Sequence, residues 1–158
     1  MRKGEKMPES FIELIQPYFQ NEEYLQLAEF EHHNTTRLNH LYNVAVYSYV
    51  IGNYFNKKGK MDMASLITGA LLHDFHYVHK NEYKIQHCRN RHGLIASVNA
   101  TRVFHINAKE KNIIEAHMFP LVKIVPKSKE AWIVVFSDKF SAIMEACFNK
   151  NYVLPSFS

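Results

Sequence analysis

The sequence predicts an all-α fold in which residues 1–158 form one domain, a bundle of about six helices. Its length of 158 residues is the usual size of one domain. Apolar residues recur mainly at the three- and four-residue spacing of helices. Only 5 Gly and 5 Pro interrupt the chain, too few for the many turns of an all-β fold. With 47% hydrophobic and 22% charged residues, the composition is that of a globular protein with a sizeable core.

Three helices are predicted in the N-terminal part of the chain. An apolar stripe over residues 11–19 predicts the first, although Pro17 complicates its end. Asn21 is expected to cap a short second helix, and Thr36 to cap a longer third one. The third helix would have one inward face, formed by His40, Val44, Tyr47 and Ile51.

The most apolar helix is predicted over residues 63–72, with Asp62 at its start. Its residues are apolar on nearly every side, which is typical of a helix at the centre of a fold. The polar, histidine-rich residues 75–90 that follow predict a loop.

Three further helices complete the predicted bundle. One is expected near residues 92–104. Asn107 and Glu110 have the spacing of a capping box, and the helix that they open is expected to pass Met118 and stop before Pro120. Ser128 is expected to cap the last long helix, which carries Trp132, Val135, Phe136, Phe140 and Ile143.

Charge and cysteine content narrow the class of protein. The formal net charge is +4, but the cationic residues are scattered, which makes nucleic acid an unlikely partner and leaves room for a small anionic ligand. Cys88 and Cys147 form neither a disulfide framework nor a CxxC zinc motif, which suits a reducing, cytoplasmic location. The uncharged stretch 38–56 has the length of a membrane span, but its Asn and His residues predict a buried helix and no membrane partner.

The chain has 10 histidines, and several of them fall on inward faces. His73 and Asp74 end the most apolar helix, His40 lies on an apolar stripe, His117 follows an apolar turn, and Asp138 has small and apolar neighbours in the last helix. A single buried histidine is most often bonded to a backbone carbonyl. Together, however, these residues indicate a divalent metal, which would neutralise the carboxylates and replace missing hydrogen bonds.

The order His40, His73-Asp74, Asp138 resembles the signature of the HD superfamily of metal-dependent phosphohydrolases, in particular its small single-domain bacterial members. The similarity covers roughly residues 30–148. It implies a helical bundle with the metal site at its centre, in which those four residues bind a first metal. In some subfamilies two further histidines bind a second metal, with the first aspartate bridging. His92 and His117 stand at suitable places for this role.

The resemblance implies a hydrolase that cleaves a phosphate mono- or diester, for example of a nucleotide, by attack of a metal-bound hydroxide. Because the ligands are imidazole and carboxylate, the metal would be manganese, iron, magnesium, nickel or zinc. Each chain would bind one or two such ions. Asp74 and His73 would take part in catalysis through the metal. Arg37 lies one turn before His40, and Lys139 directly follows Asp138. Both are candidates for catalytic phosphate contacts, together with Lys80, Arg91 and Lys123.

The substrate class stays open at this point. Guanosine tetraphosphate hydrolases have a Glu-Asp pair where Tyr77-Val78 stand, and the Gly-Tyr-Pro motif of cyclic-di-guanylate phosphodiesterases is absent. Two alternatives remain. Inositol oxygenase has the same ordered ligands on a di-iron core, and a non-catalytic regulatory module would bind a nucleotide without turnover.

The remaining histidines and the oligomeric state are less determined by sequence. His76 and His79 could border the pocket, but loop histidines of this kind are more often solvated. His32 or His33 would orient a ligand from outside the metal shell. Exposed tyrosines and phenylalanines would form the interface of a homodimer.

Overall fold

The computed structural model describes residues 7–32, 34–57, 59–77, 91–148, 150–155 and 157. Within these residues the α-helices are α1 (Glu9–Phe19), α2 (Glu22–Leu25), α3 (Arg37–Phe55), α4 (Met63–Leu72), α5 (His92–Phe104), α6 (Ala108–Ala116) and α7 (Lys129–Phe148). A 3₁₀ helix (Gln26–Glu29) and a two-residue antiparallel hairpin, β1 (Glu31–His32) and β2 (Thr35–Thr36), precede α3. The prediction of an all-α bundle is confirmed, while the hairpin was not foreseen.

Side-chain caps set the starts of the helices where the sequence predicted them. The Thr36 hydroxyl accepts a hydrogen bond from the backbone amide of Asn39 at 3.2 Å and opens α3. The Ser128 hydroxyl accepts from the amide of Ala131 at 3.1 Å and opens α7. Such caps satisfy amides that have no partner within the helix. The same holds for three further helices, whose caps are Asn21, Asp62 and the Asn107–Glu110 capping box.

Helix α6 ends earlier than the sequence predicted. It was expected to pass Met118, but it stops at Ala116. The amides of Phe119 and Leu121 then bond to carbonyls three residues earlier, at 2.9 and 2.8 Å, which is the pattern of a tight turn. Pro120 contributes to this early end, because a proline disfavours the helical conformation of Phe119 before it and has no amide of its own to donate to the last turn.

Helix α4 lies at the centre of the bundle, as predicted. It packs against α1, α3, α5, α6 and α7. The side chains of Leu66, Ile67, Leu71 and Leu72 are fully buried. Because α4 is surrounded by other helices, the two residues that follow it, His73 and Asp74, emerge in the interior of the protein.

A glycine lets α4 and α6 approach closely. A Cβ atom at Gly69 would lie 2.3 Å from Cγ2 and 2.8 Å from Cβ of Ile113, a fully buried side chain of α6. Cβ is attached directly to the backbone and cannot rotate away. The contact therefore requires a residue without a side chain at position 69.

We expect Gly69→Ala to lower the free energy of unfolding by about 1–3 kcal/mol because it overpacks this contact. The loss should appear although alanine is intrinsically favoured over glycine in a helix by about 1 kcal/mol. Gly52→Ala is the control. Its Cβ would meet the side-chain ends of Leu66 and Met63, which can shift, so its free energy of unfolding should fall less than that of Gly69→Ala. Urea unfolding measures both variants, and a Gly69→Ala protein as stable as wild type would contradict this account.

None of the helices in the described part of the chain combines the length and hydrophobicity needed to cross a membrane.

Candidate metal centre

Five helices bring the predicted ligands together in the interior. His40 lies on α3, and His73 and Asp74 directly follow α4. His92 begins α5, His117 directly follows α6, and Asp138 lies on α7. The structure thus places all six predicted ligands in one region, with the following members: His40, His73, Asp74, His92, His117 and Asp138.

A first group of potential ligands surrounds the end of α4. One ligand atom each from His40, His73 and Asp74 lies within 4.8 Å of the others, and all three residues are buried. Asp138 completes this side, since its Oδ1 is 3.2 Å from Nε2 of His40 and 3.6 Å from Nε2 of His73.

A second group shares Asp74 with the first. Oδ1 of Asp74 is 3.3 Å from Nε2 of His92 and 3.5 Å from Nε2 of His117. The two histidine Nε2 atoms are 2.9 Å apart. Two donor groups therefore adjoin, with one buried carboxylate common to both.

The donor groups fit divalent cations. Ligand atoms held about 2.0–2.2 Å from one ion stand roughly 3.0–3.5 Å from each other, which is close to the distances observed here. Nε2 of His73 is buried without a hydrogen-bond partner in the part of the chain that the structure describes. The donors are imidazole nitrogens and carboxylate oxygens, a set that suits several divalent transition metals.

Comparison with known protein families agrees with this geometry. The family model described as "HD domain" matches residues 37–143, about two thirds of the chain, including all six residues. The chain belongs to the HD domain family. This membership places it in a superfamily of metal-dependent phosphohydrolases, and the buried His/Asp groups point to divalent metal binding. No curated protein and no solved structure gives a significant match.

Backbone carbonyls orient two ligands of this HD domain. Nδ1 of His73 donates a hydrogen bond to the carbonyl of Ala70 at 2.8 Å, and Nδ1 of His117 donates to that of Ile114 at 2.6 Å. A carbonyl only accepts, so each Nδ1 carries the proton and each Nε2 is left to face the donor group. Each bond reaches back three residues along the chain, to the last turn of the preceding helix.

His40 is held differently, by a carboxylate that the sequence analysis missed. Its Nδ1 is 2.9 Å from Oε2 and 3.1 Å from Oε1 of Glu145, a fully buried residue of α7. Glu145 also accepts hydrogen bonds from Asn43 at 2.8 Å and from the Ser141 hydroxyl at 2.6 Å. Glu145 follows Asp138 by seven residues, two turns of one helix, and this spacing was the signal available in the sequence.

The charges of the HD-domain centre are strongly coupled. Burial raises the pKa of Asp74, but the nearby imidazoles, first of all those of His92 and His73, outweigh it and hold that pKa well below its usual value. Burial likewise raises the pKa of Asp138, but the nearby imidazoles have the larger effect, so that its pKa is also well below the usual value. Both carboxyl groups are therefore ionised, as metal ligands must be.

His117 in the second donor group and His40 in the first differ in protonation. Burial is the main cause that lowers the pKa of His117 to about 3, which leaves its ring neutral and able to bind a metal through Nε2. Burial also disfavours a charge on His40, but the carboxylates of Asp138 and Glu145 raise its pKa to about 10. A cation bound on this side would replace the His40 proton as the partner of Asp138.

His76 joins the centre, and the expectation that it is solvated is wrong. It is fully buried, and its Nε2 is 3.8 Å from Oδ1 of Asp74. Burial lowers its pKa to about 3. Arg37, also fully buried, donates a hydrogen bond through Nη1 to the carbonyl of His76 at 2.6 Å and lies over the ring of Phe30. Arg37 thus reaches the centre through His76.

Lys139 lies beside the centre. Its Nζ donates hydrogen bonds to the carbonyls of His117 at 3.2 Å and Val135 at 3.4 Å. Burial lowers its pKa. Of the other candidate phosphate contacts, Arg91 and Lys123 are exposed, and Lys80 lies outside the described residues. His33, His79 and the side chain of His32 likewise lie outside the described residues. The phosphate contacts all remain predictions.

Proposed function

We propose that this HD domain hydrolyses a phosphate mono- or diester of a small molecule, for example a nucleotide, with two divalent metals. His40, His73, Asp74 and Asp138 would hold the first ion, and Asp74, His92 and His117 the second. The observation that carries the proposal is the single buried carboxylate, Asp74, shared by two adjoining donor groups. This arrangement would keep two ions close enough to act on one phosphoryl group.

A bound metal pair lowers the pKa of water and stabilises negative charge on phosphoryl oxygens. The chain's own contribution is to orient the imidazoles and to keep the ligands away from bulk water. His73 and His117 are oriented by carbonyls, and His40 is oriented by Glu145. Because these groups are in place before a ligand binds, little reorganisation is required during reaction.

The exposure of the ligands indicates a side from which substrate would approach. Asp138 retains 15% of its side-chain surface, whereas the side chains of His40 and His73 are fully buried. The ammonium group of Lys139 lies beside the same centre, where it donates a hydrogen bond to the carbonyl of the ligand His117 at 3.2 Å. A phosphate that enters beside Asp138 would therefore meet a cationic side chain, which would offset developing charge.

Metal analysis followed by an activity screen tests the proposal. Protein purified without chelator is expected to contain about two divalent transition metals per chain, and to release phosphate from phosphomonoesters or nucleotides with that metal. A content of about one metal would remove His92 and His117 from the ligand set. Protein that binds no metal after reconstitution with manganese, iron and nickel would contradict the proposal.

The same preparation separates the alternatives. Tight nucleotide binding without any product would favour a regulatory module. A mixed-valent iron pair with oxygen uptake would favour an oxygenase. Phosphate release that is stimulated by manganese and lost on chelation would exclude both as the main activity.

A further inference from the structure

Helix α7 has two faces of opposite character. Its inner face carries Asp138 and Glu145, which belong to the metal centre. The structure describes every residue of α7, and beyond Lys129 at its start the exposed positions carry no charge. These exposed residues are Trp132, Phe136, Phe140, Ile143, Ala146, Cys147 and Phe148.

Exposure along the outer face is large for such residues. Trp132 is 39% exposed, Phe136 61%, Phe140 48% and Ile143 55%. They follow one another at intervals of four, four and three residues, so they form one stripe along the helix. The outer face of a helix on a soluble protein normally carries charged and polar side chains instead.

Neighbouring rings pack against the stripe and extend it. The ring of Trp132 stacks on that of Phe136, and its other neighbour is Phe119 at 5.4 Å between centroids. The ring of Phe140 meets that of Tyr47 on α3 at 5.0 Å. Since a large aromatic side chain offers about 150–250 Å², the three aromatic residues and Ile143 together expose roughly 300–450 Å² of apolar surface. This reaches the size of patches that mark interaction sites.

We propose that this face of α7 is the interface of a homodimer, in which it packs against the same face of a second copy. Two such stripes would together bury about 600–900 Å², and Phe148, which is 61% exposed, would bring the total near the lower limit for a specific interface. In a twofold dimer the same patch occurs on both partners and must be self-complementary, as an uncharged aromatic stripe is. Spacings of three and four residues are also those of helix-to-helix seams.

The charge pattern favours a second copy over a membrane surface. Helices that lie on membranes flank their apolar face with Lys and Arg, which bind anionic lipid. Between residues 130 and 148 the only cationic residue is Lys139, and its Nζ is turned to the carbonyls of Val135 and His117. The outer face of α7 therefore carries no cation along the stripe itself, although Lys129 stands at its start and Lys150 lies over the ring of Phe148 at its end.

Sedimentation equilibrium between about 1 and about 100 µM tests the proposal on the full chain. Wild type is expected to be a dimer with a Kd below about 10 µM. Phe136→Glu and Phe140→Glu should each raise that Kd by about 100-fold or more, since a buried unpaired charge is strongly unfavourable. Circular dichroism should show unchanged helix content, because both side chains are exposed in the monomer.

Val98→Glu is the matched control, since Val98 is 66% exposed on α5 and lies outside the stripe. It should dimerise like wild type. A wild-type protein that stays monomeric at about 100 µM would overturn the proposal, whether or not it binds vesicles of anionic lipid. Dimers of Phe136→Glu and Phe140→Glu with wild-type affinity would overturn it equally.

Discussion

Asp74→Asn is expected to remove bound metal from both donor groups and to lower phosphohydrolase activity by at least about 1,000-fold. Asp74 is the carboxylate common to both groups. An asparagine in its place is neutral and presents one oxygen, so it would not supply the anionic carboxylate that the two donor groups share. Helix content should stay nearly unchanged, because the helices are stabilised by their caps and core. Elemental analysis, phosphate release and circular dichroism measure the three effects.

The matched control is Asp62→Asn, at the other end of α4. Asp62 caps that helix through the amide of Ser65 at 3.0 Å, and asparagine caps as well as aspartate. Its side chain is 44% exposed, so loss of its charge there should have little effect. We expect Asp62→Asn to retain metal and activity. An Asp74→Asn protein with full metal content and activity would eliminate the proposed centre.

The second large effect is expected at Glu145, which lies outside both donor groups but positions His40. Glu145→Leu should raise the dissociation constant of the metal by about 10- to 100-fold, the usual range for partners of ligating histidines. Without the carboxylate, Nδ1 of His40 loses its acceptor, and the ring loses the bond that directs Nε2 to the centre. Glu145→Gln should have a smaller effect, because its carbonyl oxygen still accepts a hydrogen bond but brings no charge.

Glu130→Gln separates positioning from stability. Glu130 is another buried glutamate of α7, and its carboxylate accepts from the amide of Asp62 at 2.9 Å and pairs with Lys109 at 3.2 Å. Its substitution should lower the free energy of unfolding without changing metal affinity. Competition titration with a chromogenic chelator and urea unfolding measure the two quantities. Equal metal affinities of Glu145→Leu, Glu130→Gln and wild type would rule out the positioning role.

The helices and their starting points could be predicted because they depend on nearby residues. Thr36, Asp62, Asn107 and Ser128 each accept a hydrogen bond from the amide three positions ahead, so the signal lies within one turn. The central place of α4 was also predictable, since a helix without a polar face has to be surrounded. The end of α6 was misjudged because the apolar pattern continued past the point where Pro120 stops the helix.

The convergence of the six predicted ligands was foreseeable from their apolar settings and from the family resemblance. Polar residues on buried faces require partners, and a common centre provides them. That they adjoin as two groups around Asp74 became visible only in the folded chain, because the distances depend on how five helices pack. His76 shows the limit of local reasoning, since a histidine in a polar segment is buried here.

The sequence by itself determined the helical class, the helix starts and the identity of the polar residues that must lie inside, because periodicity and capping are properties of neighbouring residues. Only the tertiary structure decided that Glu145 of α7 holds His40 of α3, 105 positions away. It also decided which side of α7 faces solvent, since α7 carries apolar residues on both sides. Packing against α3, α4 and α6 covers one side and leaves the aromatic stripe outside.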